Sequence, residues 1–210
     1  PTDEAPMQRS ICIDNNQNVS YSDKGSKMNI EDLAEVLSSF PKLEFILFDA
    51  CFMQSVEVAH ELRYTTKFII ASPAEIPGPG APYHRIIKPM FASPFSANKI
   101  AEEYFLAYND GDRDSELQNY GVLLSVINCN LLENFASITA EMVIKYAAED
   151  SVLQANDILH YCPRPNTSRP SYYDMNAYMS HLITEESDYI RWKSILDKTR
   201  CYSATKPWWY

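Results

Sequence analysis

An acid and a thiol stand two residues apart where an apolar segment of the chain ends. The segment "LEFILF" leads into Asp49, Ala50 and Cys51. In an extended strand, residues two apart project to the same side, so the carboxylate and the thiol are expected in one site. Two interpretations are open. The pair is either a nucleophile with a neighbouring group that binds a cationic side chain, or a buried cysteine beside an acid that caps the next helix.

Apolar and helical patterns predict the elements around this pair. Continuously apolar segments are typical of strands buried on both faces, and segments with helical spacing lie between them. The predicted strands are 43–50, 67–72, 120–128 and 200–205, and the predicted helices are 30–39, 53–64, 96–109, 131–150, 151–161, 172–183 and 187–199. Residues 1–28 and 73–85 are predicted as loops. This alternation predicts an α/β fold with a mainly parallel central sheet.

The predicted position of Cys51 suits a nucleophile. Functional groups of parallel sheets gather at the carboxyl ends of the strands, and Cys51 lies at such an end. Cys51 also lies just ahead of the predicted helix 53–64, whose dipole and free N–H groups would favour a thiolate. The same N–H groups could bind a developing oxyanion.

The charge of the chain restricts the class of partner. Its 28 acidic and 18 basic residues give a formal net charge of −10, which argues against a nucleic-acid partner. The charge suits a cationic substrate, although we interpret the bulk of it as serving solubility. No apolar stretch approaches the roughly 20 residues that cross a bilayer. The five cysteines lack the spacing of a zinc cluster, and the acidic segment "DGDRDSELQ" lacks the pattern of a calcium-binding loop. We therefore expect no bound metal ion.

The segment that follows Asp49 resembles a known family. It reads Asp-Ala-Cys-Phe-Met, then "SVEVAHEL" with helical spacing, then a strand and the loop Gly-Ala-Pro-Tyr at 80–83. This order of motifs is similar to that of the clostripain family of cysteine peptidases, the C11-type enzymes. The tail "YYDMNAYMSHL…LDKTRCYSATKP" resembles the family's region after the catalytic core. The resemblance implies a caspase-like fold, a three-layer sandwich.

The resemblance also implies roles for the pair. Cys51 would be the nucleophile that forms an acyl-enzyme, and its backbone N–H would supply part of the oxyanion hole. Asp49 would select Arg or Lys at the residue before the cut. The substrates would be peptides or proteins. The resemblance implies that no organic cofactor is needed. Some family members depend on calcium, although the sequence shows no such site.

The family's general base is a histidine that precedes the cysteine, and this chain has no histidine before Cys51. We expect that histidine on an upstream segment or chain. Related enzymes cut themselves between the histidine and the cysteine and leave two associated chains. The resemblance makes Arg9, Lys24 and Lys27 candidate sites of such self-cleavage, since they lie in the corresponding loop.

Two alternatives remain at this stage. The chain could be a peptidase-like domain that binds cationic peptides without cutting them, because the histidine is absent. It could also be a different acyl-transfer enzyme, such as an amidase, with His84 as its base. His60, His160 and His181 carry no catalytic signal.

The predicted organisation has two parts. Residues 1–128 are expected to be the C-terminal part of the peptidase core, with an activation-type loop at 1–28. Residues 129–210 are expected to be a helical region that packs on the core. Because the chain has few buried strands and its last residues are "PWWY", we expect a fragment of a longer polypeptide. The family is often secreted or held at the cell envelope, which implies an extracytoplasmic location.

Overall fold

The computed structural model describes residues 10–13, 27–111, 116–147, 157–161 and 172–207. The strands are β1 Ser10–Ile13, β2 Lys27–Asn29, β3 Leu43–Leu47, β4 Thr66–Ala71, β5 Val122–Asn128, β6 His160–Tyr161, β7 Tyr172–Tyr173 and β8 Arg200–Lys206. The helices are α1 Ile30–Ser38, α2 Val56–Glu61, α3 Tyr83–Met90, α4 Ala97–Leu106, α5 Leu132–Tyr146, α6 Met175–Leu182 and α7 Glu186–Thr199. No helix within these residues is long and apolar enough to cross a bilayer.

A central sheet with the strand order β3-β4-β5-β8 organises the fold. Strand β3 pairs with β4 in parallel, whereas β5 is antiparallel to both β4 and β8. The predicted α/β class is confirmed. The expectation of a mainly parallel sheet needs correction, because the described strands form a mixed sheet. A continuously apolar segment indicates that a strand is buried on both faces. It does not indicate whether the neighbouring strand is parallel or antiparallel.

The sheet has a separate hydrophobic core on each of its two faces, because successive side chains along a strand point to opposite faces. Along β4, Ile69 faces the core formed with α1, α2, α5, α6 and α7, whereas Ile70 faces the core formed with α3 and α4. The first core surrounds Trp192, and the second contains Tyr104 and Tyr108. Helices on both faces of one sheet give the layered arrangement expected from the sequence.

Several segments differ from the sequence prediction. In the predicted helix 172–183, Tyr172–Tyr173 form strand β7 and helix α6 begins only at Met175. Helix α3 begins at Tyr83 inside the predicted loop 73–85, because Pro82 is compatible with a helix start even though it reads as a loop signal. Strands β1 and β2 pair within the predicted loop 1–28. In the predicted helix 151–161, residues 151–156 lie outside the described residues and His160–Tyr161 form strand β6, paired with β7.

The C-terminal part of the chain contributes to the central layer. Helices α5 and α7 pack against each other on one face of the sheet, and β8 pairs with β5 along its whole length. Thr199 at the end of α7 is followed directly by Arg200 of β8. The region after residue 128 therefore supplies a strand of the sheet as well as helices.

Candidate active site

Residues 48–55, which we call the Cys51 loop, connect β3 to α2 at the carboxyl end of β3. Helix α2 begins only at Val56, and its N-cap Ser55 accepts a hydrogen bond from the Val58 N–H at 3.3 Å. The helix predicted to begin at residue 53 therefore begins three residues later than expected. The chain first makes a turn, in which Phe52 adopts a positive φ of 59°. The dipole of α2 therefore cannot stabilise a thiolate at Cys51, since the effect of a helix dipole falls off within one turn.

The turn is held by the start of the 72–82 loop, which we define as the segment that follows β4. The Phe52 N–H donates to the Ala74 carbonyl, and the Gln54 N–H donates to the Ser72 carbonyl, each at 3.0 Å. The Gln54 side-chain Nε2 also donates to the carbonyl and the hydroxyl of Ser125 on β5, at 3.1 Å and 2.9 Å. These bonds connect the Cys51 loop to the two strands that follow β3.

Cys51 itself is exposed, and its Sγ accepts a hydrogen bond from the Ile76 N–H at 3.3 Å. The other cysteines whose side chains are described behave differently. Cys129 is buried, and burial raises the pKa of its thiol to about 12. Burial also raises the pKa of Cys201. Because a nucleophile must be reached by its substrate, Cys51 is the thiol of these three that suits nucleophilic chemistry.

Asp49 is exposed at the same loop and is held by residues 81 and 83. Its Oδ1 accepts a hydrogen bond from the Ala81 N–H at 3.0 Å, and its Oδ2 accepts one from the Tyr83 hydroxyl at 3.4 Å. Burial and the Asp49 charge raise the pKa of Tyr83, so the hydroxyl stays protonated and can donate. The carboxylate is thus fixed in direction while one side of it remains open to solvent.

Gly80 fits closely against this carboxylate. Its φ is +72°, and a Cβ at this position would lie 2.9 Å from Asp49 Oδ2 and 3.2 Å from Oδ1. Both the left-handed conformation and the lack of space favour glycine. The Tyr108 hydroxyl donates a hydrogen bond to the Gly80 carbonyl at 2.6 Å, and this bond holds the 72–82 loop in place. Burial, followed by the charge of Asp49, raises the pKa of Tyr108 to about 12.

Tyr104 lies beside Tyr108 in the layer under Asp49. Its side chain is fully buried, and its hydroxyl has no hydrogen-bond partner of good geometry in the part of the chain that is described. Burial first, and the Asp49 charge second, raise the pKa of Tyr104. The two rings are 5.8 Å apart. Together the two rings form an apolar layer beneath the exposed Asp49, and both of their hydroxyl groups are neutral.

One loop therefore contacts both residues that the sequence singled out. Within the 72–82 loop, the Ile76 N–H reaches Cys51 and the Ala81 N–H reaches Asp49. The arrangement places an exposed thiol and an exposed carboxylate on the Cys51 loop, and a backbone N–H of the 72–82 loop holds each of them. It can attack a carbonyl and bind a cation at neighbouring positions.

The other predicted residues lie elsewhere. Arg9 and Lys24 fall outside the described residues, whereas Lys27 begins strand β2 and pairs with Ile13. His84 is exposed on the first turn of α3. The remaining histidines bond to other groups: His60 to Arg63, His160 to the Ile158 carbonyl and His181 to the Ala177 carbonyl. Among the described hydrogen bonds of the Cys51 Sγ, none comes from an imidazole.

Sequence reasoning missed the groups that support Asp49. Tyr83 was visible only as part of the family-like Gly-x-Pro-Tyr loop, whereas Tyr104 and Tyr108 stand four residues apart on a segment that predicts an ordinary buried helix face. Gln54 carried no signal either. A polar residue between the apolar Met53 and the helix start is common, and its reach to Ser125 depends on how β5 lies in the sheet.

A cavity of about 390 Å³ opens beside the Cys51 loop, on the face of the sheet that carries α5 and α7. Phe52, Gln54, Pro73 and Tyr172 are among its lining residues, whereas Asp49 and Cys51 are not. Among the described residues, no group of three or more His, Cys, Asp and Glu side chains could hold a metal ion.

The fold is similar to that of solved cysteine proteases. A cysteine protease from B. fragilis shares 32% identity and a TM-score of 0.78 over 90% of this chain and 78% of its own. A secreted C11 cysteine protease from Bacteroides thetaiotaomicron, solved with an irreversible peptide inhibitor, shares 34% identity and a TM-score of 0.73 over 89% of this chain and 51% of its own. An inactive zymogen C11 protease from Parabacteroides distasonis shares 30% identity and a TM-score of 0.73 over 86% of this chain and 49% of its own.

A match to a family model identifies the family of this chain. The profile of the clostripain family, peptidase C11, matches residues 2–204, and the chain belongs to that family. The chain spans about half the length of two of the three relatives described. No curated protein matches its sequence at a significant level.

Proposed function

We propose that the protein is a cysteine endopeptidase that cleaves peptide bonds after Arg or Lys through an acyl-enzyme on Cys51. The observation that carries the proposal is the exposed thiol beside an exposed, oriented carboxylate on one loop. The family and the peptide inhibitor bound to a relative support a peptide substrate.

The reaction uses the thiolate of Cys51 as the nucleophile. Its Sγ attacks the scissile carbonyl carbon, the C–N bond breaks, and the leaving amine takes a proton from the general acid. Water then hydrolyses the thioester, and the thiol regains its proton. We assign the Cys51 backbone N–H as a hydrogen-bond donor to the oxyanion that forms during the attack. The proton carrier is a histidine that we place on an upstream segment or chain, outside these residues.

Asp49 supplies the preference for a basic residue before the cut. A lysine or arginine side chain that enters beside Cys51 meets the open side of a carboxylate whose direction is set by Ala81 and Tyr83. Because the rest of the site offers neutral tyrosine hydroxyls, an uncharged side chain gains little from it. The net charge of −10 favours the approach of cationic peptides to the protein as a whole.

We also propose that the protein activates itself by cleavage into two associated chains. Arg9, Lys24 and Lys27 are the candidate positions, because they match the proposed preference and precede Cys51. The zymogen form of a relative supports an inactive precursor. The secreted relative supports an extracytoplasmic location.

A second candidate function is a domain that binds cationic peptides without cutting them. The observation that favours it is the lack of an imidazole among the described hydrogen bonds of Cys51. Asp49 would bind the peptide in the same way in both functions.

Hydrolysis of fluorogenic peptides by the full-length protein tests the proposal. The peptides carry Arg, Lys, Gln or Leu before the reporter, and the variants are Cys51→Ala and, as the matched control, Cys201→Ala. We expect cleavage after Arg and Lys that is lost in Cys51→Ala and retained in Cys201→Ala. Binding of the basic peptides without hydrolysis would establish the second function instead, and activity that survives in Cys51→Ala would overturn the assignment of the nucleophile.

A further inference from the structure

The residue after Cys51 has an unusual backbone and a well-defined neighbour. Phe52 adopts a φ of 59°, a region that glycine or asparagine enters far more readily than a bulky side chain. Its ring stacks on Tyr172, with centroids 4.9 Å apart and an angle of 7° between the planes. A left-handed phenylalanine persists only where its surroundings determine its conformation.

Tyr172 belongs to an element that is itself anchored. It lies in β7 and pairs with Tyr161 of β6. Next to this pair, the Asp174 N–H donates to the Leu159 carbonyl at 2.8 Å, and the Asp174 carboxylate accepts from the Tyr161 hydroxyl at 3.2 Å. The same carboxylate caps α6 through the Ala177 N–H at 2.8 Å. The ring of Tyr172 is therefore presented from a fixed position.

The two sides of Phe52 are held by different parts of the chain. Its N–H bonds to the Ala74 carbonyl of the 72–82 loop, whereas its ring is held by a residue far along the sequence. If the ring lost its partner, the backbone could relax to a negative φ. The peptide unit that joins residues 51 and 52 would then rotate, and the Cys51 Sγ would turn relative to the Ile76 N–H and Asp49.

We propose that Phe52 and Tyr172 form a positioning pair that sets the direction of the Cys51 thiol. Neither residue is assigned contact with the substrate. The pair acts through the backbone of the Cys51 loop, so that the C-terminal part of the chain determines the geometry of the nucleophile. This inference rests on the proposed peptidase function.

Steady-state kinetics of Tyr172→Ala and Tyr172→Phe in the full-length protein test the pair. Misplacement of a reacting group by about 1 Å costs on the order of 100-fold in rate, so we expect kcat to fall about 10- to 100-fold in Tyr172→Ala with KM changed less than about threefold. Tyr172→Phe keeps the ring and should retain kcat. The matched control is Tyr173→Ala, which removes the exposed neighbour on the same strand and should leave kcat unchanged.

A double mutant separates a pair from two independent effects. If Phe52 and Tyr172 act as a unit, Phe52→Ala combined with Tyr172→Ala should lose no more activity than the more damaging single variant. Additive losses, an unchanged kcat in Tyr172→Ala, or an equal loss in Tyr173→Ala would each overturn the inference. Should Tyr172→Ala fail to fold, Tyr172→Leu keeps an apolar side chain but removes the stack, and the same outcomes apply.

A second readout distinguishes failure of the pair from failure of the proposed function. The rate of alkylation of Cys51 by iodoacetamide, followed by mass spectrometry of the Cys51 peptide, requires no peptide hydrolysis. We expect Tyr172→Ala to change this rate at least about threefold and Tyr172→Phe to leave it unchanged. Equal rates in all variants would refute the pair, whereas a wild-type protein that cleaves no peptide but shows this pattern would refute only the peptidase function.

Discussion

Gly80 offers the sharpest test of how the loop supports Asp49. Replacing it with alanine places a methyl group 2.9 Å from Asp49 Oδ2 and forces a residue with a Cβ to adopt a φ of +72°. The methyl group cannot occupy that position unless the carboxylate moves. Gly78→Ala is the matched control, because a Cβ at residue 78 meets nothing within 4 Å.

The expected magnitude has two parts. The left-handed conformation costs an alanine about 1–2 kcal/mol, and displacement of Asp49 from the Ala81 N–H costs about 1 kcal/mol more. A loss of about 2–3 kcal/mol lowers Tm by about 4–12 °C in a chain of this size. Gly78→Ala should change the free energy of unfolding by less than about 0.5 kcal/mol.

The effect on specificity is measured as kcat/KM for a peptide with Arg before the cut relative to one with Gln. A cation about 4 Å from a carboxylate gains about 4 kcal/mol at an effective dielectric constant of 20, and exposure of Asp49 reduces this to about 1.5–3 kcal/mol. The preference for Arg should therefore fall about 10- to 100-fold in Gly80→Ala. In an Asp49→Asn background, Gly80→Ala should cause no further loss of preference.

Two results would refute this reasoning. An unchanged Tm in Gly80→Ala would mean that the loop does not hold residue 80 in the left-handed conformation. A normal Tm loss with an intact preference for Arg would mean that the Asp49 carboxylate can move without consequence and does not select the substrate.

Three further predictions concern the site and the core. Asp49→Asn should lower kcat/KM about 10- to 100-fold for peptides with Arg or Lys and leave peptides with Gln within about twofold, and an equal loss for all peptides would assign Asp49 to folding. Trp192→Ala removes a fully buried ring that contacts Phe135 and donates to Thr139, so urea titration should show a loss of about 3–5 kcal/mol, while Ile190→Ala on the exposed face of α7 should lose less than about 1 kcal/mol. Burial raises the pKa of Cys129 to about 12, so the stability that its neutral thiol provides is complete below the ordinary thiol pKa and is lost as pH rises towards 12. Denaturation between pH 8 and 11 should therefore show a shallower loss of stability in Cys129→Ala than in the wild type, and parallel curves would contradict the stated cause.

The central elements could be predicted because their signals are local. Strands β4 and β5 are apolar segments, and α5 and α7 have clear helical spacing, so sequence periodicity suffices to find them. The direction of β5 could not be predicted, since a strand that is buried on both faces has the same pattern whether its neighbours are parallel or antiparallel. The start of α3 could not be predicted, because Gly80 and Pro82 are typical of a loop in the sequence. In the structure, Gly80 adopts a left-handed turn conformation and helix α3 begins directly after Pro82.

The candidate site was predictable in part for a related reason. The two-residue period of a strand predicted that Asp49 and Cys51 project to the same side, but strand β3 ends at Leu47 and both residues lie in the Cys51 loop, where the 72–82 loop contacts each of them. The conformation of Phe52 could not be foreseen, because phenylalanine has no preference for a positive φ and its stacking partner is distant in sequence. Tyr104 and Tyr108 were equally hidden, since only the packing of α4 and the turn that follows it against the sheet brings them under the acid.

The antiparallel pairing of β8 with β5 has a consequence for how the chain reaches its folded state. Strands β3 and β4 can pair early because a short segment separates them, and β5 can pair with β4 on one edge, whereas the other edge of β5 must wait for β8, which follows the rest of the chain. Until β8 arrives, "VLLSVIN" presents an apolar edge with unpaired N–H and C=O groups, which is a template for association between chains. Once in place, β8 covers that edge and has Arg200 and Lys206 at its own two ends. Synthesis that stops before residue 200 should therefore yield aggregates even though every residue of the candidate site is already present.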